Sequence, residues 1–396
     1  MHIQELKELA MSKIDDLIAE YCPDGVEYRE LAELVDYQQP SPYIVSSTNY
    51  DDSFSLPVLT AGQSFILGYS DDDQGIFYAS AERPVIIFDD FTTSFHWVDF
   101  DFKVKSSAIK MLRIKPDVDC SFRYVYYAMS CIQYVPKEHS RQWISIYSTF
   151  KIPVPPLPVQ EEIVRILDSF SSLEAELEAE LEARRKQYAY YRNELLTFER
   201  VVTVCIQDIC IRICSGGTPS SKRHDYYDGN VPWLRTQDID FNVINQTSAT
   251  ISDEGLRNSA AQWIPANCVI VAMYGATAAK VAVNSIPLTT NQACCNLQID
   301  ETKADVRYVF HWLSNEYEHL KALGEGSQSN INAKKVKSYP ISLPPLEEQR
   351  RIVSILDRFD KLTNDLSSGL PAEIEARRKQ YEYYRDRLLS FDELAV

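Results

Sequence analysis

The segments EARRKQYAYYRNELLTF (residues 182–198) and EARRKQYEYYRDRLLSF (residues 375–391) agree at thirteen of seventeen positions and lie 193 residues apart. A charged, tyrosine-rich segment written twice, with dissimilar sequence between the copies, marks the chain as a tandem of two halves. The likeness runs upstream, where IPVPPLPVQEEIVRILDSF (152–170) precedes the first copy and ISLPPLEEQRRIVSILDRF (341–359) the second. In both, Pro-Pro-Leu ends an extended stretch, because proline lacks an N–H and pushes its predecessor out of helical geometry. Acids then crowd the first helical turn, where the dipole favours them.

Ile166, Phe170, Leu173, Leu177, Leu181, Tyr188, Tyr191, Leu195 and Phe198 recur at steps of three and four, with one longer gap, as do Ile355, Phe359, Leu362, Leu366, Leu370, Ile374, Tyr381, Tyr384, Leu388 and Phe391. Each stripe is a seam for another helix. A helix of about 38 residues would run roughly 57 Å, longer than a small domain is wide, so the two arms are expected to pair, antiparallel. The distance from Phe170 to Glu182 is four residues shorter than that from Phe359 to Glu375. The longer stretch contains SSGLP (367–371), and Gly369 and Pro371 predict a break in the second arm only.

The fold class that follows is α+β: two mixed α/β domains joined by two long antiparallel helical arms in a pseudo-two-fold tandem repeat. The expected divisions are an N-terminal helix over 1–26 packing on the arms, a first domain over 27–155, the first arm over 156–199, a second domain over 200–344 and the second arm over 345–396. PVIIFDDF (84–91), HWVDFDFKV (96–104), CVIVAMYG (268–275) and KVAVNS (280–285) read as strands. RYVYYAMSCI (123–132) and VRYVFHWLSNEYEHLKAL (306–323) read as helices in matching positions, each just ahead of its arm.

Composition bounds the function. With 45% hydrophobic residues and no run approaching the roughly 18 to 20 uncharged apolar residues of a membrane helix, the chain reads as folded and soluble. Its acid-bearing N-terminal helix does not resemble a signal peptide, so the expected compartment is the cytoplasm, with no membrane partner. Nine cysteines, an odd number, fit reduced thiols, and Cys205, Cys210 and Cys214 lack the spacing of a zinc set. The vicinal Cys294 and Cys295 read as packing, with redox chemistry left open. A net charge of −17 counts against nucleic-acid binding. Local basic clusters nevertheless occur at Lys103 and Lys105, at Lys222 and Arg223, and at Lys334, Lys335 and Lys337, and phosphate contacts need only a basic local surface.

Catalytic signatures are missing: no phosphate-binding or dinucleotide glycine loop, no adenine-methyltransferase sequence, no nucleophile elbow, and no metal spacing among the six histidines. The chain is expected not to be an enzyme, and no metal or cofactor is expected in it. Polar turns cluster in the second domain: CSGGTPSSKRHDYYDGNVPWLRTQDI (214–239), MYGATAAKVAV (273–283), LTTNQACCNL (288–297) and EGSQSNINAKKVKSYP (325–340). Such side chains on irregular loops are what base edges and phosphates require, although solvated loops share the composition.

The tandem PPLPVQEEIVRILD and PPLEEQRRIVSILD, each followed by EARRKQY and YYR, with GGTPS, VPWLRTQDI, YGATAAKVAV and TTNQA between them, resembles the specificity subunit of a type I restriction-modification system over essentially the whole chain. The first domain, with PVLTAGQSFILGY and VIIFDDFTTSFHWVDFDFKVKSSA, resembles a different class of target-recognition domain from the same family and lacks GGTPS and GATAAK. The resemblance implies that each domain reads one half of a bipartite sequence in double-stranded DNA while the arms set the distance between halves. A separation near one turn, about 34 Å, puts both domains on one face of the duplex. It also implies docking of two methyltransferase subunits and, through them, restriction subunits; S-adenosylmethionine, ATP and Mg would belong to those partners. A protein-binding scaffold with a generic coiled coil, or a recognition subunit of another nuclease-methyltransferase architecture, are the other readings.

Side-chain chemistry and motif position nominate Thr218, Ser220, Lys222, Arg223, Arg235, Gln237, Tyr274, Lys280, Asn291, Gln292, Gln328, Asn330 and Lys334 as DNA-facing in the second domain. In the first, Lys103, Lys105, Ser106, Arg141 and Gln142 are nominated. Arginine, glutamine and asparagine can address base edges in bidentate fashion, while lysines hold phosphates. In the repeated helix, Arg184, Arg185, Tyr188, Tyr191 and Leu195, with Arg377, Arg378, Tyr381, Tyr384 and Leu388, are nominated for arm pairing and partner docking. Its arginines fit either protein or the backbone of the spacer DNA, with the interleaved aromatics favouring protein.

Overall fold

The computed structural model describes residues 2–62, 64–324, 330–365 and 367–394, with residues 2–11 described by backbone alone. The chain divides into two compact units, residues 1–175 with 376–396, and residues 176–375, so that the repeated helix of each half belongs to the other half's unit.

The first unit carries α1 (His2–Tyr21), β1 (Glu27–Glu30), α2 (Leu31–Leu34), β2 (Val35–Gln38), β3 (Leu56–Leu59), β4 (Ile66–Ser70), β5 (Val85–Asp89), β6 (Phe95–Val98), β7 (Lys103–Val104), β8 (Ile109–Ile114), α3 (Phe122–Met129), β9 (Lys151–Val154) and the start of α4 (Leu157–Leu196). An antiparallel sheet runs β2-β8-β5-β6, a second runs β4-β3-β7 with β3 parallel to β7, and β1 pairs with β9. Side chains alternate across β5: Ile86 and Phe88 enter one core with α3 and α4, while Val85 and Ile87 enter another with Leu59, Phe102 and Val104.

The second unit repeats the plan with β10 (Thr203–Cys205), β11 (Cys210–Ser215), β12 (Tyr227–Leu234), β13 (Asn242–Ile244), β14 (Thr250–Ile251), α5 (Asp253–Arg257), β15 (Trp263–Ile264), β16 (Val269–Ala272), β17 (Val281–Asn284), β18 (Leu288–Thr290), β19 (Cys294–Ile299), α6 (Val306–Asn315), α7 (Tyr317–Ala322), α8 (Ala333–Lys337), β20 (Pro340–Ser342) and α9 (Leu346–Asn364). Its sheet runs β11-β19-β16-β17-β13, β12 lies parallel to β18, and β10 pairs with β20. The same alternation sends Val269 and Val271 of β16 toward α6 and Ile270 and Ala272 to the opposite face. HWVDFDFKV, read as one strand, is two, β6 and β7; the helix read over 306–323 breaks at Glu316 into α6 and α7.

The arms differ as their spacing predicted. The first is one helix, α4, and the second is α9 followed by α10 (Leu370–Leu388). Gly369 lies in the break, and a Cβ there would meet the carbonyls of Lys361, Leu362 and Asp365. In the first unit α4 and α10 run antiparallel: Phe170 stacks on Tyr384, and one turn on, Glu174 accepts a 2.5 Å bond from Arg378 Nε. In the second unit Tyr188 and Tyr191 of α4 stack on Phe359 of α9.

One joint occurs twice. Gln160 Oε1 accepts from the amide of Ser121, the residue capping α3, while its Nε2 donates to Pro155 O. Gln349 does the same with the amide of Asp305, the cap of α6, and with Pro344 O. Both side chains are buried. Beside them Arg123 bonds Asp168 at 2.8 Å and Arg307 bonds Asp357 at 2.9 Å. The aspartates are those of the repeated ILD motif. Burial and hydrogen bonding oppose each other at Asp357, and its bonds to His311 and Arg307 hold the carboxyl below the usual range.

Candidate nucleic-acid interface

In the second unit the polar loops singled out in the sequence gather at one end of the sheet, held by backbone bonds. Gly217 N donates to Thr290 O, Asn291 N to Leu234 O, Met273 N to Ala293 O and Ile331 N to Met273 O. This brings together the loops 216–220, 235–238, 274–280, 291–293 and 330–331. Gly216 and Gly217 are required by close approach: a Cβ on the first would collide with the Thr290 carbonyl, and on the second with the backbone of Ala260. Trp233 Nε1 donates to Gly217 O at 3.0 Å and pins the loop from beneath.

The side chains follow. Thr218 Oγ1 donates to Gln292 Oε1, and Gly275 N, at φ +83°, donates to Asn330 Oδ1 at 3.2 Å. Tyr274 is 41% exposed beside them. Arg235 donates to Ser248 Oγ at 3.1 Å, while its Nε is buried and without a partner. Asn291 is turned inward, accepting from Ala293 N and Cys294 Sγ. Lys280 pairs with Asp240 at 2.6 Å. Ser220, Lys222 and Gln237 are exposed, as is Lys334 on the short α8. Arg223 is neutralised in place, forming two bonds to Asp225. Gln328 lies outside the described residues.

In the first unit two nominated residues are corrected. Lys103 is buried, ion-paired to Asp72 at 2.9 Å and bonded to Gln74 O; that ammonium, with Ser46, holds the Asp72 carboxyl down at about 2. Gln142 is 1% exposed, with its amide committed to Ser140 and its carbonyl to Tyr134. Both support loops from inside, and neither can face a ligand. Lys105 lies half-buried over the Tyr50 ring, while Ser106 and Arg141 are exposed.

The repeated helix sorts by face. Tyr188 and Leu388 are buried, and Leu195, Tyr381 and Tyr384 are partly so, packing inward. Tyr191 is 40% exposed, and the most outward aromatics, which the sequence reading passed over, are Tyr190 and Tyr383, each 61% exposed and set edge-to-face against Tyr191 and Tyr384. Helical phase identifies them: in YYR the first tyrosine falls off the buried stripe. Arg184 bonds Glu180 and Gln187.

Among the described residues no group of three or more His, Cys, Asp or Glu could hold a metal ion, and no helix is long and apolar enough to cross a membrane. Burial pushes the thiols of Cys210, Cys268 and Cys295 up to about 12, which makes them packing groups and not nucleophiles.

Two units of one plan, each a mixed domain braced on helices and offering a rim of polar loops, define a recognition protein with duplicated modules. The chain belongs to the type I restriction-modification specificity family: the model of the type I restriction modification DNA specificity domain matches twice, over residues 23–183 and 199–376. It is 43% identical to the Escherichia coli type I restriction enzyme EcoR124I/EcoR124II specificity subunit, covering 93% of this chain and 95% of that one. A putative type I restriction enzyme specificity subunit of Haemophilus influenzae is 33% identical over 68% of this chain and 72% of its own length. The fold matches the crystal structure of the S subunit from M. genitalium with a TM-score of 0.61 at 12% identity, covering 92% of this chain and 96% of that chain. The protein is thus a non-catalytic DNA-specificity subunit, and the reading as a scaffold without DNA falls away.

Proposed function

We propose that residues 27–155 and 200–344 are two target-recognition domains, each reading one half of a bipartite sequence in double-stranded DNA. The arms, 156–199 and 345–396, set the separation of the halves, and the N-terminal helix braces them. The observation that carries this is the convergence of the 216–220, 235–238, 274–280, 291–293 and 330 loops on one rim, held by backbone bonds that leave Thr218, Gln292, Tyr274, Arg235 and Asn330 at the surface. Such a rim can present amides and guanidinium to base edges while Lys222 and Lys334 meet phosphates.

Two methyltransferase subunits would dock on the two copies of the repeated helix, with Tyr190 and Tyr383 as matched anchors and restriction subunits joining through them. Equivalent faces on one chain are what two copies of one partner need. The pairing of Arg184 with Glu180 and of Arg378 with Glu174 supports a protein-facing role for these arginines. S-adenosylmethionine, ATP and Mg would serve the partners. Co-expression with the cognate methyltransferase followed by methylome sequencing tests the reading: a bipartite methylated motif is expected, and its absence refutes the proposal. Four residues added to one arm should lengthen the unread spacer; an unchanged spacer refutes the ruler.

A further inference from the structure

The two domains share no recognition motif in sequence, yet their loops are tied by the same backbone bonds. Val58 and Leu59 run parallel to Lys103 and Val104 as Trp233 and Leu234 do to Thr289 and Thr290. Val45 N donates to Val104 O as Gly217 N does to Thr290 O, both at 2.9 Å, and Lys105 N to Leu59 O as Asn291 N to Leu234 O, both at 3.0 Å. Asp90 N bonds Ala108 O as Met273 N bonds Ala293 O, and Gln142 N bonds Asp90 O as Ile331 N bonds Met273 O. These matches place Ser46 where the second domain has Thr218, Ser106 where it has Gln292, and Arg141 where it has Asn330.

The interior beneath this rim differs. In Met273's place stands the carboxylate of Asp90, and in that of Cys295, diagonal to it on the neighbouring strand, stands Lys110; all four are buried. Asp90 Oδ1 accepts from the amides of Gln142 and Trp143 at 3.1 and 2.8 Å, while Oδ2 lies 3.2 Å from Lys110 Nζ and 3.6 Å from Arg141 Nη1. Arg141 itself is 50% exposed. A carboxylate in the core therefore holds the backbone of the loop by hydrogen bonds and lies within ion-pair distance of a guanidinium that is half exposed.

We propose that Arg141 reads a guanine edge in the half-site of the first domain, with Ser46, Thr92 and Ser106 lining the same rim, and that Asp90 is its positioning residue. Two donors set in a fixed fork match the O6 and N7 acceptors of guanine, whereas the matched Asn330 would suit adenine. The inference rests on the division of labour proposed above.

The test is the assembled methyltransferase complex acting on duplexes that vary one base pair at a time. Arg141→Gln should relax one position of one half-site, with a loss of discrimination of roughly tenfold or more. The other half-site, still read in full, shows that the chain is folded and assembled. Asp90→Met combined with Lys110→Cys, which installs the second domain's buried pair, should relax the same position. If the wild-type complex methylates no bipartite motif, the functional reading itself fails. If it does and Arg141→Gln leaves both halves unchanged, or weakens all sequences uniformly with a shallower salt dependence, as a phosphate contact would, base reading by Arg141 is refuted. Relaxation in Arg141→Gln but not in the double variant refutes the role given to Asp90.

Discussion

Phe170 stacks on Tyr384 with ring centroids 5.4 Å apart and planes at 26°, and Phe359 meets Tyr191 at 5.6 Å and 25°. These are the same two positions of the repeat, taken once from each copy and crossed. Each half of the sequence thus completes its helical seam with the repeated helix of the other half. Phe170→Ala should destabilise the first unit by about 3 kcal/mol, the usual range for removing a buried ring, and Phe359→Ala the second by somewhat less. Hydrogen exchange resolved by segment checks this: each substitution should speed opening mainly among amides of its own unit.

The buried Asp90–Lys110 pair yields a non-additive cycle. Removing either partner strands a charge in the core, and Asp90→Met or Lys110→Cys alone should cost about 3 to 5 kcal/mol. Together they reproduce the Met273 and Cys295 arrangement of the second unit but leave the buried amide of Trp143 without the Asp90 carboxylate that accepts from it, so the double variant should cost only about 1 to 3 kcal/mol in urea unfolding, less than either single substitution. A double variant as unstable as the singles would mean that the two interiors are not interchangeable.

Gln160 and Gln349 each satisfy one half-buried amide and one buried carbonyl. Gln160→Ala and Gln349→Ala should each cost about 1 to 3 kcal/mol, since the partners are left desolvated and unpaired. Differential scanning calorimetry of the two variants should show similar losses if the joints are equivalent.

His311 introduces a pH dependence confined to the second unit. Its ring is buried between Tyr188 and Asp357, beside Arg307, and burial lowers its pKa below the ordinary value. The unfolded chain binds that proton near pH 6.5 and the folded chain only at lower pH, so stability falls as pH drops below about 6.5. Asp357 adds a later loss, because its depressed carboxyl favours folding only until it protonates in more acid solution. The matched residue in the first unit is Tyr127, bonded to Asp168. His311→Tyr should flatten the dependence of the melting temperature between pH 5 and 7.

Much of the architecture was legible because it is written in periodicity. The apolar stripes gave the arms, and the four-residue excess with Gly369 and Pro371 gave the break after Asn364. The polar rim of the second domain was legible because close approach demands glycine at 216 and 217, which marks the loop. The first domain's rim was not, since there the same backbone bonds are made through Val45 and Asp90, and backbone bonds leave little trace in residue type. Burial of Lys103 and Gln142 was hidden for the opposite reason: their partners, Asp72 and Tyr134, are distant or unpatterned in sequence. Tyr190 and Tyr383 were overlooked beside tyrosines that fit the stripe, though one step of helical phase separates them.

The glutamine joints have a consequence for how such chains change. Each socket asks its domain for one main-chain N–H at the head of a helix, and it is indifferent to whether serine or aspartate supplies it. A domain with wholly different loops meets that requirement if it keeps a capped helix at the right height. Coupling through the backbone therefore frees the rest of the module to diverge, and the helical frame can carry new target sequences without being redesigned.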